Sequence, residues 1–177
     1  MRTRLAIASL LSVMAGAPAL AQHAFANRSF DIFFKEVQET DDPSRPEIPQ
    51  LRRTQIQVGK TAASTRITRN WASAPPWLEH LEASGGLGEW VSLQGRARLQ
   101  HRVEGNRLTQ TVLTSSFAAR LVIELDGEGC KVKIENVLSP GESYFRMRNI
   151  ALGTPMRITA IRIEANPVCA MSEELLW

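Results

Sequence analysis

Residues 96–138, RARLQHRVEGNRLTQTVLTSSFAARLVIELDGEGCKVKIENVL, carry the reading that decides the fold. Gly105 and Asn106 lie between two runs in which polar and apolar residues alternate. Both accept positive φ without steric penalty, so the pair predicts a two-residue primed turn. Setting Glu104 against Arg107 then places Val103 opposite Leu108, His101 opposite Gln110 and Leu99 opposite Val112. Opposite charges flank the turn and apolar residues share one face, as cross-strand pairing prefers. The other face carries Arg96, Arg98, Gln100 and Arg102 against Thr109 and Thr111.

A second hairpin turns at Asp126-Gly127-Glu128-Gly129 and sets Leu125 opposite Cys130, Glu124 opposite Lys131, Ile123 opposite Val132 and Leu121 opposite Ile134. Slipping either ribbon by one residue would turn every apolar side chain to the wet face, so the register is firmly specified. Between the hairpins the apolar phase passes from even positions (Leu108, Val112) to odd ones (Phe117, Ala119, Leu121). That shift locates a bulge or turn at Thr114-Ser115-Ser116 and makes the stretch a four-strand antiparallel meander.

Upstream, the odd positions from Trp90 to Val103 stay small or apolar without a break, which predicts one long strand bent at Gly95. Pro75-Pro76 ahead of WLEHLE, and Gly85-Gly86 behind it, punctuate one short helix with Trp77, Leu78 and Leu81 toward the sheet. Residues 29–38 read as a first strand, Phe30, Ile32 and Phe34 alternating with Asp31 and Lys35. Phe33 and Val37, on its other phase, imply cover on both faces. Residues 41–53 hold three prolines and both charge signs and read as a loop. Ile56 and Val58 mark a short strand, and residues 64–71 another. Downstream, Ser139-Pro140-Gly141-Glu142 fits a type II turn, and residues 144–150 and 156–165 give two more strands, the second changing phase between Ala160 and Ile161. About nine strands and one short helix predict a mostly β single domain, an antiparallel β-sandwich or a small β-barrel.

The first 21 residues stand apart. Arg2 and Arg4 precede an apolar run from Leu5 to Met14, and Ala19-Leu20-Ala21 offers a small-x-small cleavage site. This is the anatomy of a secretory signal peptide, and the run is too short to span a bilayer. Residues 22–28 then read as a flexible start, 29–169 as the β domain and 170–177 as a C-terminal tail. The destination is the periplasm or the extracellular space. Two of the 21 Lys and Arg residues leave with the signal, so 19 remain against 18 acidic residues, a net charge of +1. Near neutrality argues against a nucleic-acid partner. Cys130 and Cys169 are the only cysteines, an even count that predicts a disulfide in an oxidising compartment. The competing readings are a buried free thiol and a metal-ligand pair, and a spacing of 39 without a CxxC weighs against the metal.

Three groups are candidate sites. His101 stands on the apolar face of its strand, either as a ligand or base in a barrel interior or as a half-buried histidine held by a polar neighbour. Trp71, Trp77 and Trp90 bracket the expected helix, either as an aromatic platform for sugar rings or a peptide, or as the side chains that dock the helix. Arg96, Arg98 and Arg102, with Lys131 and Lys133, make a basic row for an anionic surface or an ordinary solvated face. His80 and Glu82, two apart on a helix, do not share a face, so no metal site is specified. The nucleophile elbow, the HExxH signature, the phosphate loop and the SxxK pairing are not found. No cofactor is implied. The expectation is a secreted, non-catalytic binding or interaction module whose partner is a cell-envelope polymer, a lipid or another exported protein. The alternatives are a carrier holding an apolar or amphipathic molecule in a barrel lined by His101 and Gly95, and a small hydrolase acting on cell-wall or sugar polymers.

Overall fold

The computed structural model describes residues 23–71, 77–95, 97–114, 117–138, 147–148, 155–156 and 158–174. The expected signal peptide therefore lies outside the described residues. Strands follow one another as β1 (Arg28–Thr40), β2 (Glu47–Val58), β3 (Ala62–Trp71), β4 (Trp77–Gly86), β5 (Trp90–Leu93), β6 (Ala97–Glu104), β7 (Arg107–Leu113), β8 (Phe117–Asp126), β9 (Gly129–Leu138), β10 (Met147–Arg148), β11 (Pro155–Met156), β12 (Ile158–Ile163) and β13 (Val168–Ser172). One antiparallel sheet has the order β4-β3-β2-β1, with β13 and β12 sharing the far edge of β1; a second has the order β5-β6-β7-β8-β9. β10 and β11 form a separate two-strand ribbon. The two large sheets pack face to face as a β-sandwich, and among the described residues no hydrogen-bonded ladder joins them into a barrel.

The meander has the register its alternation predicts. Glu104 pairs Arg107, His101 pairs Gln110 and Leu99 pairs Val112. Leu125 pairs Cys130 and Leu121 pairs Ile134. Gly105 and Gly127 take positive φ, at 59° and 61°, as tight hairpin turns require. The disulfide between Cys130 and Cys169, Cα–Cα 5.8 Å, joins β9 of one sheet to β13 of the other. It stitches the two layers along one long side, where β9 packs on β13, while β4 packs on β5 along the opposite side.

The expected helix is a strand. β4 pairs with β3 over ten positions, from Trp71 opposite Trp77 to Ala62 opposite Gly86. Its inward row Leu81, Ala83, Gly85 has period two, and a one-turn helix would leave the edge of β3 without those backbone partners. Gly85 is required by closeness: a Cβ there would come within 2.2 Å of Val91 Cγ1 on β5. The expected bent strand at Gly95 is a hairpin. Leu93 pairs Ala97 around a turn in which Gln94 and Gly95 have φ of 50° and 69°. Because three residues separate the paired positions, inward residues stay odd on both sides, and the phase shows no break.

The remaining differences extend the sheet. Residues 47–53, read as loop, belong to β2. β3 ends opposite Gln50, so at Pro49 β2 has β1 as its paired neighbour, a position where proline is tolerated. Ahead of β1, Phe25 and Ala26 are buried, and Phe25 packs on Phe30. Pro167 precedes a strand instead of ending one, and β13 carries the sheet past Cys169 to Ser172. The phase change near Ala160 is a register shift, Glu39 pairing Ala160 while Thr40 pairs Ile158. Within residues 144–150 only Met147–Arg148 lies among the described residues, and the Ser139 turn lies outside them.

Inward rows form two apolar clusters. Phe30, Ile32 and Ile56 meet Leu108, Leu121 and Ile123, and Ile67 and Leu81 meet Leu93, Leu99 and Val112. At roughly 1.5–3 kcal/mol for each fully buried side chain, these contacts hold the layers together. Replacing both cysteines by serine is expected to lower the unfolding free energy in urea by about 4 kcal/mol, on the chain-entropy account of a 39-residue separation. Gly85→Ala is expected to destabilise by about 1–3 kcal/mol, because the added methyl overlaps the stiff, β-branched Val91 and one of the two strands must shift. Calorimetric melting of that variant against wild type checks it.

Candidate functional site

Period-two alternation sends His101 of β6 and Gln110 of β7 into the space between the layers, where Thr65 of β3 meets them. All three are buried. The Thr65 hydroxyl donates to Gln110 Oε1 at 3.1 Å, so it accepts from His101 Nε2 at 2.6 Å. The imidazole is neutral with its proton on Nε2. Burial pushes its pKa down to about 4, opposed in part by Gln110. A base for Thr65 would need a bare nitrogen facing the hydroxyl and a path for substrate. The group is a polar clasp between the sheets, and Gly95, far from it in role, sits in an exposed turn.

A second polar group interrupts the inner face of the larger sheet. After Phe30, Ile32 and Phe34, the inward row of β1 continues with Glu36 and Gln38, opposite Gln50 and Ile48 of β2. Arg52 Nη2 lies 2.5 Å from Glu36 Oε1, and Gln38 Nε2 donates to the same oxygen at 3.0 Å. Arg52 is only 10% exposed at its side chain. Its Nε, both amide atoms of Gln50, and Gln38 Oε1 are buried without a hydrogen-bond partner. Each such atom costs roughly 1–3 kcal/mol when left dry. Beside Arg52 a cleft of about 40 Å³ runs between the sheets, bordered by Phe34, Glu36, Arg69, Gln110 and Asn136. It is far smaller than the several hundred Å³ that a carrier needs to enclose a ligand.

The outward face of the same sheet breaks its own alternation. Phe33 of β1, Leu51 of β2 and Val168 of β13 are 46%, 60% and 64% exposed. Phe33 and Val168 are paired across the β1–β13 ladder, and Leu51 lies two residues from Arg53, the partner of Phe33 on β2. Arg53 lies over the Phe33 ring at 4.9 Å and holds Asp31 through two nitrogens. That hydrogen bond raises the Arg53 pKa further, so its charge is permanent. Lys35 pairs with Glu164 beside it.

The sequence-selected groups are placed differently from one another. Arg98, Arg102, Lys131 and Lys133 share the outer face of the smaller sheet, while Arg96 lies outside the described residues. Acids interleave with them: Arg102 with Glu104 at 3.3 Å, Lys131 with Asp126 at 2.6 Å, Lys133 with Glu135 at 2.7 Å. Arg98 stacks over Trp90 at 5.1 Å. The row is a mixed-sign surface, and exposed pairs of this kind add little stability. The three tryptophans do not converge on one place. Trp71 and Trp77 are paired at one end of β4, and Trp90 follows its other end, a strand length of roughly 30 Å away. Among the described residues no group of three His, Cys, Asp or Glu converges as a metal shell.

Phe33 carried a legible signal, being apolar on the wet phase. Leu51, Arg52 and Gln50 did not, because the prolines around them concealed the strand. Asp126, Glu135 and Glu164 have their pKa values held down by Lys131, Lys133 and Lys35, the reverse of what a glycosidase acid requires. Among the described residues no helix is long and apolar enough to cross a membrane.

The histidine clasp fixes a pH dependence. Unfolded His101 titrates near 6.5 and the folded group near 4, so between these values the unfolded chain binds the additional proton. Stability is therefore full above pH 6.5 and falls as pH drops toward 4, by up to ~3 kcal/mol from this group. Urea titrations of wild type and His101→Gln across that range test it: the variant curve is expected to fall less steeply, and parallel curves would remove His101 as the source. No family model, no curated protein and no solved structure matches this chain.

Proposed function

We propose that this chain is an exported, non-catalytic binding module that engages a protein partner through the outer face of its larger sheet. The observation that carries the reading is the cluster of Phe33, Leu51 and Val168, three large apolar side chains left exposed together on a face whose alternation should be polar. Such clustering is a feature of contact surfaces. The signal-peptide sequence supports export, and the Cys130–Cys169 bridge is compatible with it.

Charge at the rim selects the partner. Arg53 and Lys35 are 43% and 45% exposed, whereas their acids Asp31 and Glu164 are 15% and 28% exposed. Cations thus front the patch and carboxylates lie behind. The complementary segment carries apolar side chains beside Asp or Glu, with its apolar groups on Phe33 and Leu51 and its acids against Arg53 and Lys35.

A peptide panel tests this reading. Short labelled peptides combining Leu or Phe with Asp or Glu are titrated against the protein by fluorescence polarisation, beside versions with the acids changed to Lys. The acidic set is expected to bind, and to lose about tenfold or more in affinity to Phe33→Ser/Leu51→Ser, truncations at the centre of the patch. Equal binding of both peptide sets, or no loss in the variant, would overturn it. Sedimentation that shows self-association abolished by the same variant would assign the patch to a second copy and overturn the heterologous partner.

A further inference from the structure

The edge of the larger sheet breaks step beside the apolar patch. Ile163 pairs with Glu36 and Val168 pairs with Phe33, so residues 164–167 stand opposite Phe34 and Lys35 alone. Two edge residues are surplus, which makes a bulge. The Glu164 N–H is still held by the Lys35 carbonyl, while Pro167 has no N–H to donate to the ladder. An even surplus returns Val168 to the outward phase of Phe33. Ala165 and Asn166, both exposed, border a hollow of about 460 Å³ on this outer face, together with Phe33, Leu51, Arg53 and Val168. That volume falls within the roughly 300–1,000 Å³ of ligand-binding clefts.

Breadth and charge narrow the occupant. From Val168 on β13 to Thr68 on β3 the hollow crosses four neighbouring strands, about 14 Å at ~4.8 Å between strands. Leucine fills little of that breadth, whereas an aromatic ring lies across it and buries roughly 150–250 Å². The charged residues at its border are all cations, Lys35, Arg52 and Arg53, and among the described residues no carboxylate borders it. A cation attracts the face of an aromatic ring, as Arg53 already does with Phe33 at 4.9 Å. The exposed Asn166 amide supplies a donor and an acceptor for a bound backbone. We propose, on the reading of this face as a partner surface, that the bulge makes the hollow an anchor pocket for one aromatic side chain of the acidic partner segment. Phe33 and Leu51 offer apolar area to any large side chain. Ala165 and Asn166 set the selectivity, because the arched edge is a wall that a ring is broad enough to meet and leucine is not.

Labelled acidic peptides that differ only at the anchor, Trp in one and Leu in the other, are titrated by fluorescence polarisation against wild type and against a chain lacking Ala165 and Asn166. That deletion sets two edge residues against two and leaves Phe33, Lys35, Leu51 and Arg53 in phase. Wild type is expected to bind the Trp peptide about tenfold more tightly than the Leu peptide. The deletion is expected to bring that ratio to about one while the Leu peptide keeps its affinity. Ala165→Phe keeps the chain length, places the protein's own ring at the hollow, and is expected to abolish the preference as well, which covers the case of a deletion that does not fold. Equal affinity of the two peptides for wild type, or a preference that survives in the folded variants, would overturn the anchor pocket and leave the partner surface standing. Failure of both acidic peptides to bind would overturn the reading of the face itself, and the pocket with it.

Discussion

The structure depends on one constraint: two inward rows, each with period two, must meet and bury their apolar side chains against each other. Phe30, Ile32 and Ile56 from one sheet meet Leu108, Leu121 and Ile123 from the other, and this contact sets which way every other side chain points. In a strand the faces cannot be chosen residue by residue. Once Leu108 is inward, Gln110 is inward too; once Phe34 is inward, Glu36 and Gln38 follow. The buried polar groups are consequences of the same periodicity that builds the core.

The two polar intrusions are handled differently. Thr65, His101 and Gln110 bond to one another and take contributions from both sheets, so they clasp the layers in a single register. Neutrality is what makes the clasp workable, because a charged imidazole at that depth would lose its hydration. The Glu36–Arg52 group keeps its charges, which a buried pair survives only with good geometry and additional hydrogen bonds. Glu36 has them, from Gln38 and Arg52; Gln50 and Arg52 Nε do not.

The outer faces show the complementary contrast. On the smaller sheet, charges of both signs alternate at close range, and Arg98 rests on Trp90. Such a face discourages association. On the larger sheet the ion pairs stand at the edges of an apolar centre, and the cations are the more exposed partners. The space left between the layers is small, about 40 Å³, so the inner faces are given over to packing.

Local alternation and turn chemistry determined the meander from Ala97 to Leu138, its pairing register, and the identity of the two bonded cysteines. Those features rest on contacts between chain neighbours or on a count of two. Tertiary structure alone decided that Trp77–Gly86 is a strand, since its partner β3 supplies the backbone bonds that a short amphipathic run cannot reveal. It decided the turn at Gln94-Gly95, whose three-residue spacing leaves the phase of Val91, Leu93, Ala97 and Leu99 unbroken. It also brought Phe33 beside Val168, and Glu36 beside Arg52, across separations of 135 and 16 residues that no periodicity links. Periodicity shows which face a residue joins; only the pairing of distant strands shows what that face meets.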